Sequence, residues 1–97
     1  MQGLRTNAAQ AARLLRALSN ENRLMVLCLL VEGEKSVGEL NAALPLSQSA
    51  LSQHLALLRD EGLVSARRAG QNIHYGLASP AARRVMETLH AIYCPEQ

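Results

Sequence analysis

The sequence predicts a mainly α-helical fold carrying one β-hairpin, in the order ααααββα, and three observations predict it. Apolar residues recur at steps of three and four through most of the chain, the spacing that lines them up on one side of a helix. One stretch, residues 63–77, abandons that period for two strand-like runs around Ala69-Gly70-Gln71-Asn72, a turn-forming sequence. The 97 residues include no Phe or Trp, and Tyr75 and Tyr93 are the only aromatics, so the core must be built from Leu, Val, Ile, Ala and Met, which suits packed helices.

Leu4, Ala8, Ala11, Leu15 and Leu18 alternate steps of four and three, which places a first helix with a packing seam over residues 4–18. Ser19 or Asn20 caps a second helix, in which Leu24, Leu27, Cys28 and Val31 share a face; Cys28 is expected to point inward, and Gly33 ends the run. Ser36-Val37-Gly38-Glu39 has serine at the cap and glutamate three residues on, the pattern of a capping box, and opens a short helix that stops before Pro45. Ser47 caps a fourth helix whose Leu51, Leu55 and Leu58 form one stripe, leaving Gln48, Ser49, Ser52 and Gln53 on the other side until Gly62 terminates it. A short helix, a tight turn and a second helix with a polar outer face make a helix-turn-helix. Residues 63–68 and 73–77 then read as a hairpin, or wing. Ser79-Pro80 starts a last helix, where Ala82, Val85, Leu89 and Ile92 recur before Pro95 breaks it. With no linker, internal repeat or low-complexity segment, one winged-helix domain over 1–97 is expected, small enough that pairing would help to stabilise it.

A net charge of +2 is too small to identify a partner, so the arrangement of charge matters more. No carboxylate lies between Glu39 and Asp60 or between Glu61 and Glu87, whereas Arg67, Arg68, Arg83 and Arg84 fall in the second gap. Those stretches can face phosphates without repulsion. A helix entering the major groove must offer short hydrogen-bonding side chains near its N-terminus, and Ser47, Gln48, Ser49, Ser52 and Gln53 meet that need. Arg67 and Arg68 on the wing, with Gln71 and Asn72 at its tip, are placed to reach the backbone or a neighbouring minor groove. Double-stranded DNA is therefore the expected partner. Taken alone, the helix face would serve equally well as solvated surface; the adjoining turn and wing favour DNA.

Other classes find little support. There is no CxxC pair, no Ser-His-Asp pattern and no glycine-rich phosphate loop, so neither an enzyme nor a cofactor is expected. No apolar run resembles a signal-peptide core or approaches the length of a membrane span, so a cytoplasmic protein without a membrane partner is expected. Cys28 and Cys94 are far apart in sequence and fit no compact zinc pattern, which leaves buried packing or a regulated thiol pair. His54 and His74 read as interior or groove-facing polar residues rather than ligands.

Leu46-Ser47-Gln48-Ser49-Ala50-Leu51-Ser52-Gln53-His54-Leu55-Ala56-Leu57-Leu58-Arg59, then Glu61-Gly62-Leu63-Val64 and Arg67-Arg68-Ala69-Gly70-Gln71-Asn72-Ile73-His74-Tyr75, resemble the signature of the ArsR/SmtB family of winged-helix repressors. The earlier Ala17-Leu18-Ser19-Asn20-Glu21-Asn22-Arg23-Leu24 is similar to that family's entry into the second helix, so the resemblance spans almost the whole chain. It implies a homodimer joined through the first and last helices, binding an imperfect inverted repeat and releasing it when a small inducer binds or reacts.

The chain departs from the family's metal sensors. Ser36 and Gly38 stand where the arsenic and cadmium sensors carry Cys-x-Cys, and Ser79, Ala81, Ile92 and Pro95 stand near the positions of the zinc and cobalt ligands. No metal site of either kind is expected. The remaining pair, Cys28 and Cys94, resembles the persulfide- and redox-responsive branch, which implies thiols joined through a disulfide or a chain of sulfur atoms, with reactive sulfur or an oxidant as inducer. Cys94 at a helix C-terminus is poorly placed to ionise, and His90 one turn earlier could compensate if protonated. Two alternatives stay open: a metal-responsive repressor using Cys28, His90 and Cys94, and an anti-repressor that activates transcription by displacing another DNA-binding protein.

Overall fold

The computed structural model describes residues 2–94, and side-chain caps mark where four of its helices begin. Helix α1 spans Gln2–Leu18. Of the two candidate caps that follow, Asn20 does the work: its Oδ1 accepts from the backbone N–H of Asn22 (2.9 Å) and Arg23 (3.0 Å), starting α2, Glu21–Val31. Arg23 reaches back, donating from Nε to the Ala17 carbonyl (2.6 Å) and from Nη2 to that of Arg16 (3.3 Å), so the free carbonyls at the end of α1 find partners.

After Gly33, held at φ 144°, come β1 (Lys35–Ser36) and α3 (Val37–Ala43). The capping box is complete: Ser36 Oγ accepts from Glu39 N–H (3.1 Å), and the Glu39 carboxylate accepts from Ser36 N–H (2.8 Å). Helix α4, Gln48–Asp60, starts at Ser47, whose Oγ accepts from Ala50 N–H (3.1 Å). The α3–α4 turn is tied by Asn41 Nδ2, which donates to the Leu46 carbonyl at 2.9 Å. Gly62, at φ 76°, closes α4 in the left-handed conformation expected of a C-terminal glycine. Strands β2 (Val64–Ala69) and β3 (Asn72–Leu77) follow, then α5, Pro80–Tyr93, capped by Ser79. The expected stop at Pro95 lies outside the described residues.

Two details differ from the sequence reading. The hairpin loop is only Gly70-Gln71, because Ala69 and Asn72 already pair; Gly70, at φ 64°, occupies the first turn position, where a tight hairpin favours glycine. The sheet also has three strands, in the order β1-β3-β2, with Lys35 opposite Tyr75 and Ser36 opposite His74. A two-residue strand is too short to display an alternating pattern, so β1 has no sequence signature.

The core is one cluster joining Ala17 and Leu18 of α1, Val26, Leu27 and Leu30 of α2, Leu40 and Leu44 around the end of α3, Leu51, Leu55 and Leu58 of α4, Leu63 and Val64 at the start of the wing, and Ala82 and Met86 of α5. The α4 stripe is as expected. Cys28 is corrected: its side chain is exposed, and Val26, Leu27 and Leu30 face inward instead. From Leu24 to Val31 every residue of α2 is apolar, so no polar side exists to show which face turns inward. Most of the α1 seam, Leu4 and Leu15 included, is also exposed, as is Ile92 of α5.

Candidate nucleic-acid interface

Burying Leu51, Leu55 and Leu58 forces the opposite side of α4 outward, and Gln48, Ser49, Ser52 and Gln53 are all exposed there. Ser47 is exposed as well. Its oxygen is occupied in capping α4, but its hydroxyl hydrogen remains free to donate. A groove of about 540 Å³ runs between α3, α4 and the wing. Gln48 and Ser52 line its α4 side, and Gln71 and Asn72, with Ile73 and Tyr75, line its wing side. The fold thus brings four of the predicted DNA-binding residues into one concavity. Ser49 and Gln53 lie on the exposed flank of α4 outside that lining.

The groove also contains a cation to which the sequence reading gave no binding role. Arg59 lies on the line of Gln48, Ser52 and Ala56, at steps of four, four and three, so the helical period that located Gln48 and Ser52 would have found it.

Arg67 and Arg68 are exposed neighbours on β2. Arg67 makes a two-pronged bond to Glu34, from Nη2 at 2.7 Å and from Nε at 3.1 Å. That hydrogen bond is the main reason the Glu34 carboxyl is held below the usual carboxylate range and the Arg67 guanidinium above its own. Among the described residues no ion pair involves Arg68.

The two cysteines are free thiols. Cys28 lines a groove of about 320 Å³ between α2 and α5, with Val31 and Met86 as apolar wall and Glu32, Glu87 and His90 as polar rim. Cys94 is half-buried at the end of α5, one turn beyond His90, and its N–H donates to the His90 carbonyl at 2.7 Å. Among the described residues no three His, Cys, Asp or Glu side chains come together as a metal-holding set, so Cys28, His90 and Cys94 are not assembled as one. No helix among them is long and apolar enough to cross a membrane.

Comparison with known proteins gives this geometry a family. Residues 20–66, which run from the cap of α2 into β2, match the model of the bacterial regulatory protein arsR family. The transcriptional activator HlyU of Vibrio cholerae is 50% identical over 94 residues, covering 97% of this chain and 87% of the relative. The chain belongs to the ArsR family of bacterial regulatory proteins. The biofilm growth-associated repressor of Agrobacterium fabrum is 44% identical over 98 residues, covering 100% of this ArsR chain and 84% of that protein. The structure of reduced HlyU from V. cholerae superposes with a TM-score of 0.93, at 50% identity over 97% of this chain and 99% of that one. A homodimeric winged helix-turn-helix DNA-binding domain from Mycobacterium bovis gives a TM-score of 0.79 at 31% identity, over 94% of this chain and 84% of its own.

These relatives are transcription regulators, not enzymes. The ArsR chain described here is accordingly a transcriptional regulator with a winged-helix fold, its helix-turn-helix formed by α3 and α4 and its wing by β2 and β3.

Proposed function

We propose that this chain is a homodimeric repressor, one winged-helix unit throughout, that binds an imperfect inverted repeat of double-stranded DNA. Its affinity would be switched by thiol chemistry at Cys28 and Cys94. The observation that carries the DNA reading is the convergence of Gln48 and Ser52 from α4 with Gln71 and Asn72 from the wing on a single groove. Gln48, Ser49, Ser52 and Gln53 read base edges in the major groove, Ser47 and the first-turn amides of α4 hold a phosphate, and the wing that carries Arg67 and Arg68 lies along the backbone. Leu4 and Leu15 of α1 and Ile92 and Tyr93 of α5, all exposed in the single chain, supply the apolar area for pairing. The M. bovis domain is itself homodimeric, which supports that arrangement.

The thiol reading draws support from Cys28, which is open to solvent in the α2–α5 groove, and from Cys94, which ends α5 one turn after the His90 of that same groove. Joining them requires α-carbons within about 7 Å for a plain disulfide, and tolerates more when sulfur atoms intervene. As the Cys28 and Cys94 sulfurs bond, two protons and two electrons pass to a persulfide, whose S–S bond breaks to a thiol and hydrogen sulfide, or to hydrogen peroxide, whose O–O bond breaks to two waters; each further sulfur atom in the link comes from a further persulfide, which leaves as its thiol. The resulting link ties α2, which supports the reading head, to α5, which sets the distance between the two heads of the dimer. Misalignment of both half-sites then weakens binding. The V. cholerae HlyU structure that superposes on this chain is that of the reduced protein.

HlyU is called an activator, and this favours one second reading: the same DNA contacts activate transcription when they displace another bound protein. The test is binding to a promoter duplex by the reduced protein and again after persulfide, peroxide or zinc treatment, with the masses of peptides containing Cys28 and Cys94. Loss of binding together with a mass linking the two cysteines is expected after persulfide. Full retention without a link removes the thiol switch and leaves DNA binding standing. Stoichiometric tight zinc with loss of binding would instead support the metal alternative.

A further inference from the structure

Adjacent residues of an extended strand point to opposite faces of the sheet, so Arg67 and Arg68 cannot share a task by sharing a face. The pairing register says which face each takes. Arg68 stands opposite Ile73 and Ala66 opposite Tyr75, and Ile73 and Tyr75 line the groove shared with Gln48 and Ser52 of α4. Arg68 therefore belongs to the α4 side of the wing. Arg67 stands opposite His74, which in turn stands opposite Ser36 of β1, so it belongs to the far side.

There Arg67 meets Glu34, the residue just before β1, with both prongs of its guanidinium engaged. To reach it the Glu34 side chain must cross β3, and Gly76 provides the passage. A β-carbon at Gly76 would sit 3.4 Å from Glu34 Cγ, in van der Waals contact with the carboxylate stem that passes over it. The contact thus joins the two outer strands of a sheet whose first strand leads directly into α3.

We infer that the two wing arginines have different tasks: Arg68 is the phosphate contact, and Arg67 is a positioning residue that, through Glu34 and across Gly76, fixes the angle of the wing relative to α3 and α4. This rests on the DNA-binding reading and refines it. An unpaired arginine on the groove side releases counterions when it meets a phosphate. An arginine already neutralised by a carboxylate on the far side contributes little to that release.

The test uses the full-length protein and a duplex that it selects from a random-sequence pool, with binding measured across a salt series. Arg68→Ala is expected to lower the slope of log affinity against log salt by about one, the value of one phosphate contact. Arg67→Ala and Glu34→Gln are expected to weaken binding about equally and leave that slope unchanged. Arg67→Glu alone weakens binding further, and the exchanged pair Arg67→Glu with Glu34→Arg restores it; because the exchange also restores the net charge, the weakening by Glu34→Gln, which adds positive charge, is the result that mere surface charge does not predict. A slope loss confined to Arg67→Ala, tighter binding by Glu34→Gln as a freed arginine would produce, or failure of the exchanged pair to recover would each overturn the division of tasks. A pool that yields no retained duplex would fail the DNA-binding reading itself, and the inference with it.

Discussion

Leu57 and Leu58 are neighbours of the same type in the same helix, yet one is 38% exposed and the other 0%. Their side chains are separated by the 100° step of the helix, which turns Leu58 into the core with Leu51 and Leu55 and leaves Leu57 at the surface. Leu58→Ala removes a fully buried side chain and leaves a cavity that its neighbours can fill only in part, so a loss of about 2–5 kcal/mol is expected. Leu57→Ala should stay within about 0.5 kcal/mol of the parent. Urea denaturation of the two variants side by side checks this, and equal losses would mean that α4 is rotated from the placement described. Cys28 obeys the same geometry with less warning: one step past buried Leu27, it reaches the surface although every neighbour from Leu24 to Val31 is apolar.

At the scale of elements, α4 presents two polar lines of different placement. Gln48 and Ser52 border the groove that the wing also borders, whereas Ser49 and Gln53 lie on its open flank. Glutamine can bond an adenine edge at two points, and such a contact discriminates between bases by about 1–3 kcal/mol. Gln48→Ala and Ser52→Ala are therefore expected to erode the difference between a selected duplex and a scrambled one while changing affinity for the scrambled duplex little. Competition binding with the two duplexes measures this, and an unchanged ratio in both variants would reject α4 as the reading face. The capping residues Ser36, Ser47 and Ser79 were legible in the sequence, because a serine before an apolar-periodic run has a local reason to be there. Strand β1 was not, since it exists only by pairing with β3.

Across the whole molecule, exposed carboxylates tie distant parts of the chain together. Arg13 donates to Glu61 at 2.6 Å, linking α1 to the end of α4, and Arg67 with Glu34 links the outer strands. Glu39 closes the capping box of α3. Each of the three carboxyls is held below the usual range. A side-chain hydrogen bond from arginine is the main cause for Glu61 and Glu34, and the backbone hydrogen bond from Ser36 for Glu39. A carboxyl with a lower value folded than unfolded binds its proton more readily in the unfolded chain. Its contribution to stability is therefore complete above the ordinary carboxylate value and is lost as pH falls through the lowered folded value. Thermal melting should show a midpoint that is level near neutrality and falls in acid below about pH 4.5. The triple variant Glu34→Gln, Glu39→Gln, Glu61→Gln should be flatter over that acid range. An equally steep fall in the triple variant would place the acid sensitivity elsewhere.

The five helices, the β2–β3 hairpin, the serine caps of α3, α4 and α5 and the buried face of α4 follow from sequence alone, because helical period, capping serines and turn glycines act within a few residues of themselves. The resemblance carried by residues 46–75 added the family. Which way Cys28 faces, the existence of β1 and the pairing of Arg67 with Glu34 were settled only by tertiary structure. Each depends on residues far apart in the chain, brought together by packing or strand register, and no local pattern encodes a contact between Glu34 and Arg67 across a third strand.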